Sequence, residues 1–268
     1  MGRNPITVAI DGPTGAGKST AARRLAAALG YRHVDTGAMY RAVALMAARR
    51  GLSLKAPAAL GRLARQIPFD FREQGGQWRI ICDGEDVSDA IRTPEVSLRA
   101  SAISALAPVR TALVARQRAL GAGGGVVMEG RDIGTVVFPQ AEVKFFLEAD
   151  LAVRSARKHR ELQGEDPART HAEVAERDRR DESRPLSPLR PASDAVRLNT
   201  THLDPDAVVT RMLAIIEERL GRDSAGPVAP QRRPATRSHR AGRPARLGPG
   251  RPGRGARRGR VPGTRKRR

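Results

Sequence analysis

The sequence predicts an α/β fold built around a parallel sheet, and three observations predict it. A short apolar run, Ile6–Ile10, leads into a glycine-rich turn and then into a helical pattern over Ser19–Leu29. Two further apolar runs, Gly125–Glu129 (GVVME) and Val143–Glu148 (VKFFLE), are each bounded by turn residues and lie near helical patterns. Strands covered on both faces read as continuous apolar runs, and their alternation with helices marks parallel βαβ units.

Each element has its own local reason. The run ITVAI is short and stops at Asp11, so it reads as a buried strand and not as a secretory leader. Ser19–Leu29 places apolar and small residues at helical spacing, with Gly30 as its stop. A second short apolar stretch precedes Asp35. Between Gly51 and Thr93 the texture changes: alternating runs at Ile67–Phe71 and Gln77–Cys82 flank Gly75-Gly76, the pattern of a small antiparallel hairpin inserted into the core. Helical patterns follow over Pro108–Leu120 and Leu151–Leu162. Residues 163–192 are dense in charge, with EVAERDRRDESR at Glu173–Arg184 ahead of proline-broken chain, and read as a solvated helix or as a mobile lid. Asp204–Leu220 closes the fold as an amphipathic helix, with Pro205 in the tolerated first turn and Gly221 as its expected end.

Charge divides the chain. Of 49 basic residues, 16 lie in residues 222–268 beside one acid, Asp223, so this stretch carries +15 and residues 1–221 the remaining +6. From Arg222 onward Arg, Pro, Gly and Ala dominate without hydrophobic period; such a segment buries too little apolar area to offset its ordering entropy, and disorder is expected. It suits RNA or another polyanion, and its composition is equally what GC-rich codons yield. The body is a mildly basic protein suited to small anionic ligands. Cys82 stands alone in an apolar run and reads as core, which fits a reducing compartment. No stretch approaches the ~18–20 apolar residues of a membrane span, so a soluble cytoplasmic protein is expected. His33, His159, His171, His202 and His239 share no spacing for a metal site and read as structural or solvated.

The chemistry starts at Gly12-Pro13-Thr14-Gly15-Ala16-Gly17-Lys18-Ser19, followed by Thr20. This matches G-x-x-x-x-G-K-[ST] after a strand and before a helix, a loop whose backbone N–H groups and helix N-terminus cradle phosphates. Lys18 can reach β- and γ-phosphates, and the Ser19 hydroxyl can ligate Mg2+. No Asn/Thr-Lys-x-Asp guanine reader follows. Arg110, Arg131, Arg154, Arg157, Arg177 and Arg184 form a set of forks suited to two anionic groups held in line.

Residues 6–221 resemble the bacterial cytidylate kinases, nucleoside-monophosphate kinases on a three-layer P-loop fold. The resemblance rests on DGPTGAGKST (Asp11–Thr20), DTGAMYR (Asp35–Arg41), GEDVSDAIRTPEV (Gly84–Val96), EGRDIGTVVFP (Glu129–Pro139) and ERDRRDESRPLSPL (Glu176–Leu189). Glu129 stands where some relatives carry aspartate. The resemblance implies one kinase domain over 1–221, with a substrate-binding insert at about 51–105 and a short lid at about 163–185. It also implies ATP and Mg2+ as donor and cofactor, CMP or dCMP as acceptor, and a monomer. By position, Ser101, Arg110 and Asp132 would face cytosine; Arg41, Arg131 and Arg184 would hold the acceptor phosphate; Arg177 and Asp181 would contact the ribose. Thr36 would lie near the acceptor, and Arg154 and Arg157 would clamp the transferring phosphoryl group beside Lys18 and Arg131. The competing readings are another small P-loop kinase, such as one acting on shikimate, and a polyanion-binding protein that uses the basic tail.

Overall fold

A computed structural model describes residues 5–75, 77–162 and 166–224. The chain opens with strand β1 (Thr7–Asp11), helix α1 (Lys18–Leu29), strand β2 (Arg32–Asp35) and helix α2 (Thr36–Arg49). Helix α3 (Pro57–Gln66) leads to three short strands, β3 (Phe69–Gln74), β4 (Gln77–Cys82) and β5 (Glu85–Asp86), and then to α4 (Pro94–Ile103) and α5 (Ala107–Gly121). Strand β6 (Val126–Gly130), a π-helical turn at Ile133–Val137 and strand β7 (Val143–Glu148) follow. Helices α6 (Leu151–Leu162) and α7 (Pro167–Ser183), strand β8 (Val196–Asn199) and helix α8 (Pro205–Ser224) complete the described chain.

The main sheet is parallel throughout and runs β2-β6-β1-β7-β8, so β1 sits at its centre. All five residues of β1 are buried, as a strand covered on both faces requires. Side chains alternate across it. Val8 and Ile10 pack with Leu25 of α1 and Met212 of α8, while Ala9 faces Val34, Met128 and Ile133 on the other side. The result is the expected α/β fold with layers of helix on both sheet faces.

A second core joins α2, α3, α4 and α5 to the small sheet through Met39, Leu60, Ile80, Ile103 and Leu113. Residues 51–105 therefore bury their apolar side chains against α2 and α5 and not against themselves alone. The hairpin is antiparallel, with Phe69 opposite Cys82, and starts two residues later than the apolar pattern placed it. Cys82 lies wholly inside this core, where burial pushes its thiol up to about 11.

Two expectations need correction. Gly221 does not end the last helix, which runs on to Ser224, so chain expected to be disordered from 222 is helical for three residues. A glycine inside a helix costs about 1 kcal/mol, and the seated face of Val208, Val209, Met212 and Ile216 offsets that. The basic tail beyond 224 lies outside the described residues, as do residues 163–165 of the expected lid. No single described helix is long and apolar enough to cross a membrane.

Candidate active site

The glycine-rich turn joins the end of central strand β1 to α1. Gly12 (φ 148°) and Gly15 (φ 76°) take backbone conformations that side chains resist, and each is also pressed against neighbouring backbone. A Cβ on Gly12 would sit 2.2 Å from the Leu147 carbonyl oxygen, and one on Gly15 would sit 2.5 Å from that of Arg154. Helix α1 starts at Lys18, so its unpaired first-turn N–H groups face the loop. The Lys18 ammonium donates to the Pro13 carbonyl at 2.6 Å, and burial, then Arg131, pushes its pKa down to about 7. Ser19 donates its hydroxyl hydrogen to Glu129 at 2.8 Å.

The arginines enter from three elements. Arg131, just after β6, donates to Asp181 of α7 at 2.8 Å and to the Thr14 hydroxyl at 2.9 Å. Arg41, one turn into α2, pairs with Asp35 at 2.7 Å, and Asp35 also caps that helix through the Ala38 N–H. Arg177 and Asp181, four apart on α7, lie on one face as their spacing predicts. Burial, then Arg131, lowers Arg177 to about 10. Burial works against the Asp181 carboxylate, but Arg131 and Arg177 hold it below its usual range. Arg184 follows α7 and donates to the Ser187 carbonyl at 2.5 Å. Arg41 Nε, Arg177 Nε and Arg184 Nη2 are buried guanidinium nitrogens without an acceptor among the described residues.

A third group sits where α2, α5 and the π-helical turn meet. Arg110 donates to the Asp132 carboxylate, and both are buried. The Arg110 guanidinium lies 5.9 Å from the centroid of the Tyr40 ring, whose hydroxyl burial pushes up to about 12. Behind Asp132, the Asp11 carboxylate accepts the N–H groups of Ile133 and Gly134, both at 2.8 Å.

These groups share one cleft of 960 Å³. It is lined by the loop from Thr14 to Thr20 (so also Ala16 and Gly17), by Thr36, Arg41, Ser101, Arg110, Arg131 and Asp132, and by Arg157, Arg177, Asp181 and Arg184. The glycine-rich loop therefore faces a ring of arginines, with a paired donor and acceptor beyond it. A family model for cytidylate kinase matches residues 8–218. The chain belongs to the cytidylate kinase family. The cytidylate kinase of Citrifermentans bemidjiense is 49% identical over 227 residues, covering 83% of this chain and 97% of that one. That of Geobacter sulfurreducens is 49% identical over 222 residues, covering 81% and 95%. A bifunctional pantoate ligase/cytidylate kinase of Synechococcus elongatus is 44% identical over 244 residues, 88% of this chain and 46% of the longer protein.

Three of the residues expected at the site of a cytidylate kinase stand behind the cleft instead of lining it. Gly12 and Pro13 form the back of the loop, with Pro13 as the acceptor for Lys18. Arg154 is 8% exposed and turned away: its guanidinium bonds the carbonyls of Ala149 and Thr14 and the carboxylate of Asp178. Arg157, one turn on, does line the cleft, anchored by the hydroxyl and carbonyl of Thr200 at 3.0 and 2.7 Å. Sequence reasoning passed over Tyr40, Asp35, Asp178 and Thr200. Tyr40, Asp35 and Asp178 lie inside quoted motifs, DTGAMYR and ERDRRDESRPLSPL, but Asp178 and Thr200 show their roles only through partners 24 or more residues away.

Proposed function

We propose that this chain transfers the γ-phosphoryl group of ATP to CMP or dCMP. The observation that carries the reading is the set of three buried guanidinium nitrogens without acceptors among the described residues, on Arg41, Arg177 and Arg184, in the same cleft as Lys18. Buried donors without partners cost stability, so they persist where a ligand completes them. Burial and, after it, the neighbouring Arg131 lower both Lys18 and Arg177, and such desolvated, clustered cations call for anions of high charge.

In this reading the N–H groups of residues 15–20 and the start of α1 hold the donor phosphates. Lys18 leaves the Pro13 carbonyl for the β- and γ-phosphates. Arg131 and Arg157 disperse charge on the transferring group, Arg41 and Arg184 orient the acceptor phosphate, and Arg177 with Asp181 meets the ribose. Arg110 and Asp132 present a donor beside an acceptor, the complement of the N3 acceptor and exocyclic amine donor of cytosine; Ser101 serves the same base. Mg2+ fits the loop: Ser19 spends its hydroxyl hydrogen on Glu129, leaving oxygen lone pairs for a hard cation. When bound, Mg2+ neutralises charge on the β- and γ-phosphates. Residues 51–105 act as the acceptor-side insert and residues 163–185 as the lid that keeps water from the γ-phosphate. The chain works as a monomer.

The test is a coupled assay of ADP release from the purified chain against CMP, dCMP, UMP, AMP, GMP and shikimate. Turnover highest with CMP and dCMP is expected; equal or higher turnover with any other acceptor overturns the reading.

A further inference from the structure

His33 lies outside the residues that resemblance to the family assigned, and by spacing alone it reads as structural. Its position says more. It is 8% exposed, on β2, two residues before Asp35, which pairs with Glu129 across adjacent parallel strands. Residues two apart on a strand point to one face, so His33 stands diagonal to Glu129. Its Nε2 is 3.0 Å from Glu129 Oε1. The other carboxylate oxygen, Oε2, accepts the hydroxyl hydrogen of Ser19 at 2.8 Å, and the Glu129 carbonyl accepts the Thr36 hydroxyl at 2.7 Å. Strand β2 and helix α1 are thus tied to a single carboxylate, and helix α2 to the backbone of the same residue, which is 2% exposed.

The order of this chain has a chemical consequence. A serine hydroxyl has one hydrogen and two lone pairs, and it rotates to suit its strongest partner. A carboxylate takes the hydrogen outright, so the Ser19 oxygen is left as a pure acceptor. That is the state a hard cation requires of a ligand. The carboxylate can do this only while it is fixed in one rotamer. A buried carboxylate with one neutral hydroxyl donor is poorly compensated, and a second donor decides whether it holds. The Nε2–H of His33 is that donor.

We propose that His33 is a positioning residue for the divalent cation: through Glu129 it fixes the orientation of the Ser19 oxygen toward the nucleotide-bound metal. The inference rests on the kinase reading, since it presupposes a metal–nucleotide complex at the loop. A tie that merely joined β2 to β6 would affect stability and binding of any nucleotide alike. A positioning role affects only binding that includes the metal.

The experiment is calorimetric titration of the full-length chain with ADP, once with Mg2+ and once with EDTA. The quantity read is the ratio of the two affinities in wild type, His33→Leu, His33→Gln and Glu129→Gln. His33→Leu should lower the ratio about tenfold, the lower end of what partners behind a metal ligand command. His33→Gln keeps an N–H donor and should restore most of it. Glu129→Gln, which keeps the volume and loses the charge, should lower it as His33→Leu does and supplies the answer if the leucine variant does not fold. Unchanged ratios in the variants, with wild type still binding Mg-ADP more tightly than ADP, overturn the role of His33. Wild type that binds no ADP overturns the kinase reading itself.

Discussion

Nucleotide binding should draw a proton from solvent onto Lys18, and its surroundings set the amount. Burial, with Arg131 next, brings the pKa from an ordinary 10.5 down to about 7. Reversing that shift takes about 5 kcal/mol of interaction that favours the charged form, which two anionic phosphates at contact distance supply at an effective dielectric near 20. At pH 8 a group of pKa about 7 is roughly 10% protonated, so ADP should take up about 0.9 proton per site; at pH 7 the figure is about 0.5. Uptake therefore rises with pH. The assay is calorimetric titration at pH 7.0 to 8.5 in buffers of different ionisation enthalpy, above the range near pH 6 where a terminal phosphate itself titrates. Uptake that stays flat across this window, or that survives in Lys18→Met, refutes the reasoning. The same shift fixes a sign for folding. Between about pH 7 and 10.5 the unfolded chain carries a proton on Lys18 that the folded chain lacks, so stability of the nucleotide-free protein rises with pH there. Below pH 7 both states are protonated and the full burial penalty is carried.

If α7 closes over bound nucleotide, trypsin cleavage after the exposed Arg179 and Arg180 should slow when a non-hydrolysable ATP analogue and CMP are both present; cleavage at one rate with and without ligands argues for a solvated helix only. Asp132→Asn keeps the contact to Arg110 but turns a donor toward the cytosine amine, so kcat/KM for CMP should fall about ten- to a hundredfold, as for a charged hydrogen bond of about 1.5–3 kcal/mol, while UMP loses less. Equal losses for both substrates would make Asp132 a structural partner of Arg110.

Legibility in the sequence followed from how local each signal was. β7 and α6 keep the bounds their sequence patterns predict, β1, β6 and α5 shift by a residue at each end, and α1 starts one residue earlier. Helix α2 was not legible, because nine of its fourteen residues are buried and little polar face remains to mark a period. Strand β8 has only four residues at the sheet edge, with a single buried side chain, too little to distinguish from loop. Motif residues could be named from the sequence because each proposed site residue belongs to a local run. Their partners could not: Glu129 lies 110 residues from Ser19, and Asp178 lies 164 from Thr14. Arg154 and Arg157 show the same limit. Three apart on one helix, they read alike, yet one is turned behind the loop and the other lines the cleft.

What Arg154 does behind the loop connects α7, the proposed lid, to the proposed phosphate site. Every polar group of Thr14 is engaged by α7 or by a side chain that α7 holds. Its N–H donates to Asp178 at 3.3 Å, its carbonyl accepts from Arg154, which is itself paired with Asp178, and its hydroxyl accepts from Arg131, which is paired with Asp181. Asp178 and Asp181 are three apart on α7 and both buried, so a rotation or shift of that helix moves both anchors together. The backbone between Gly12 and Gly15 has no slack to absorb such a shift, since both glycines are pressed against β7 and α6. Movement of α7 must therefore either break the contacts of Thr14 or carry the N–H groups of the glycine-rich loop with it. In the proposed kinase reading the charged run on α7 therefore acts on the donor phosphates through Thr14, and its acids matter as much as its arginines.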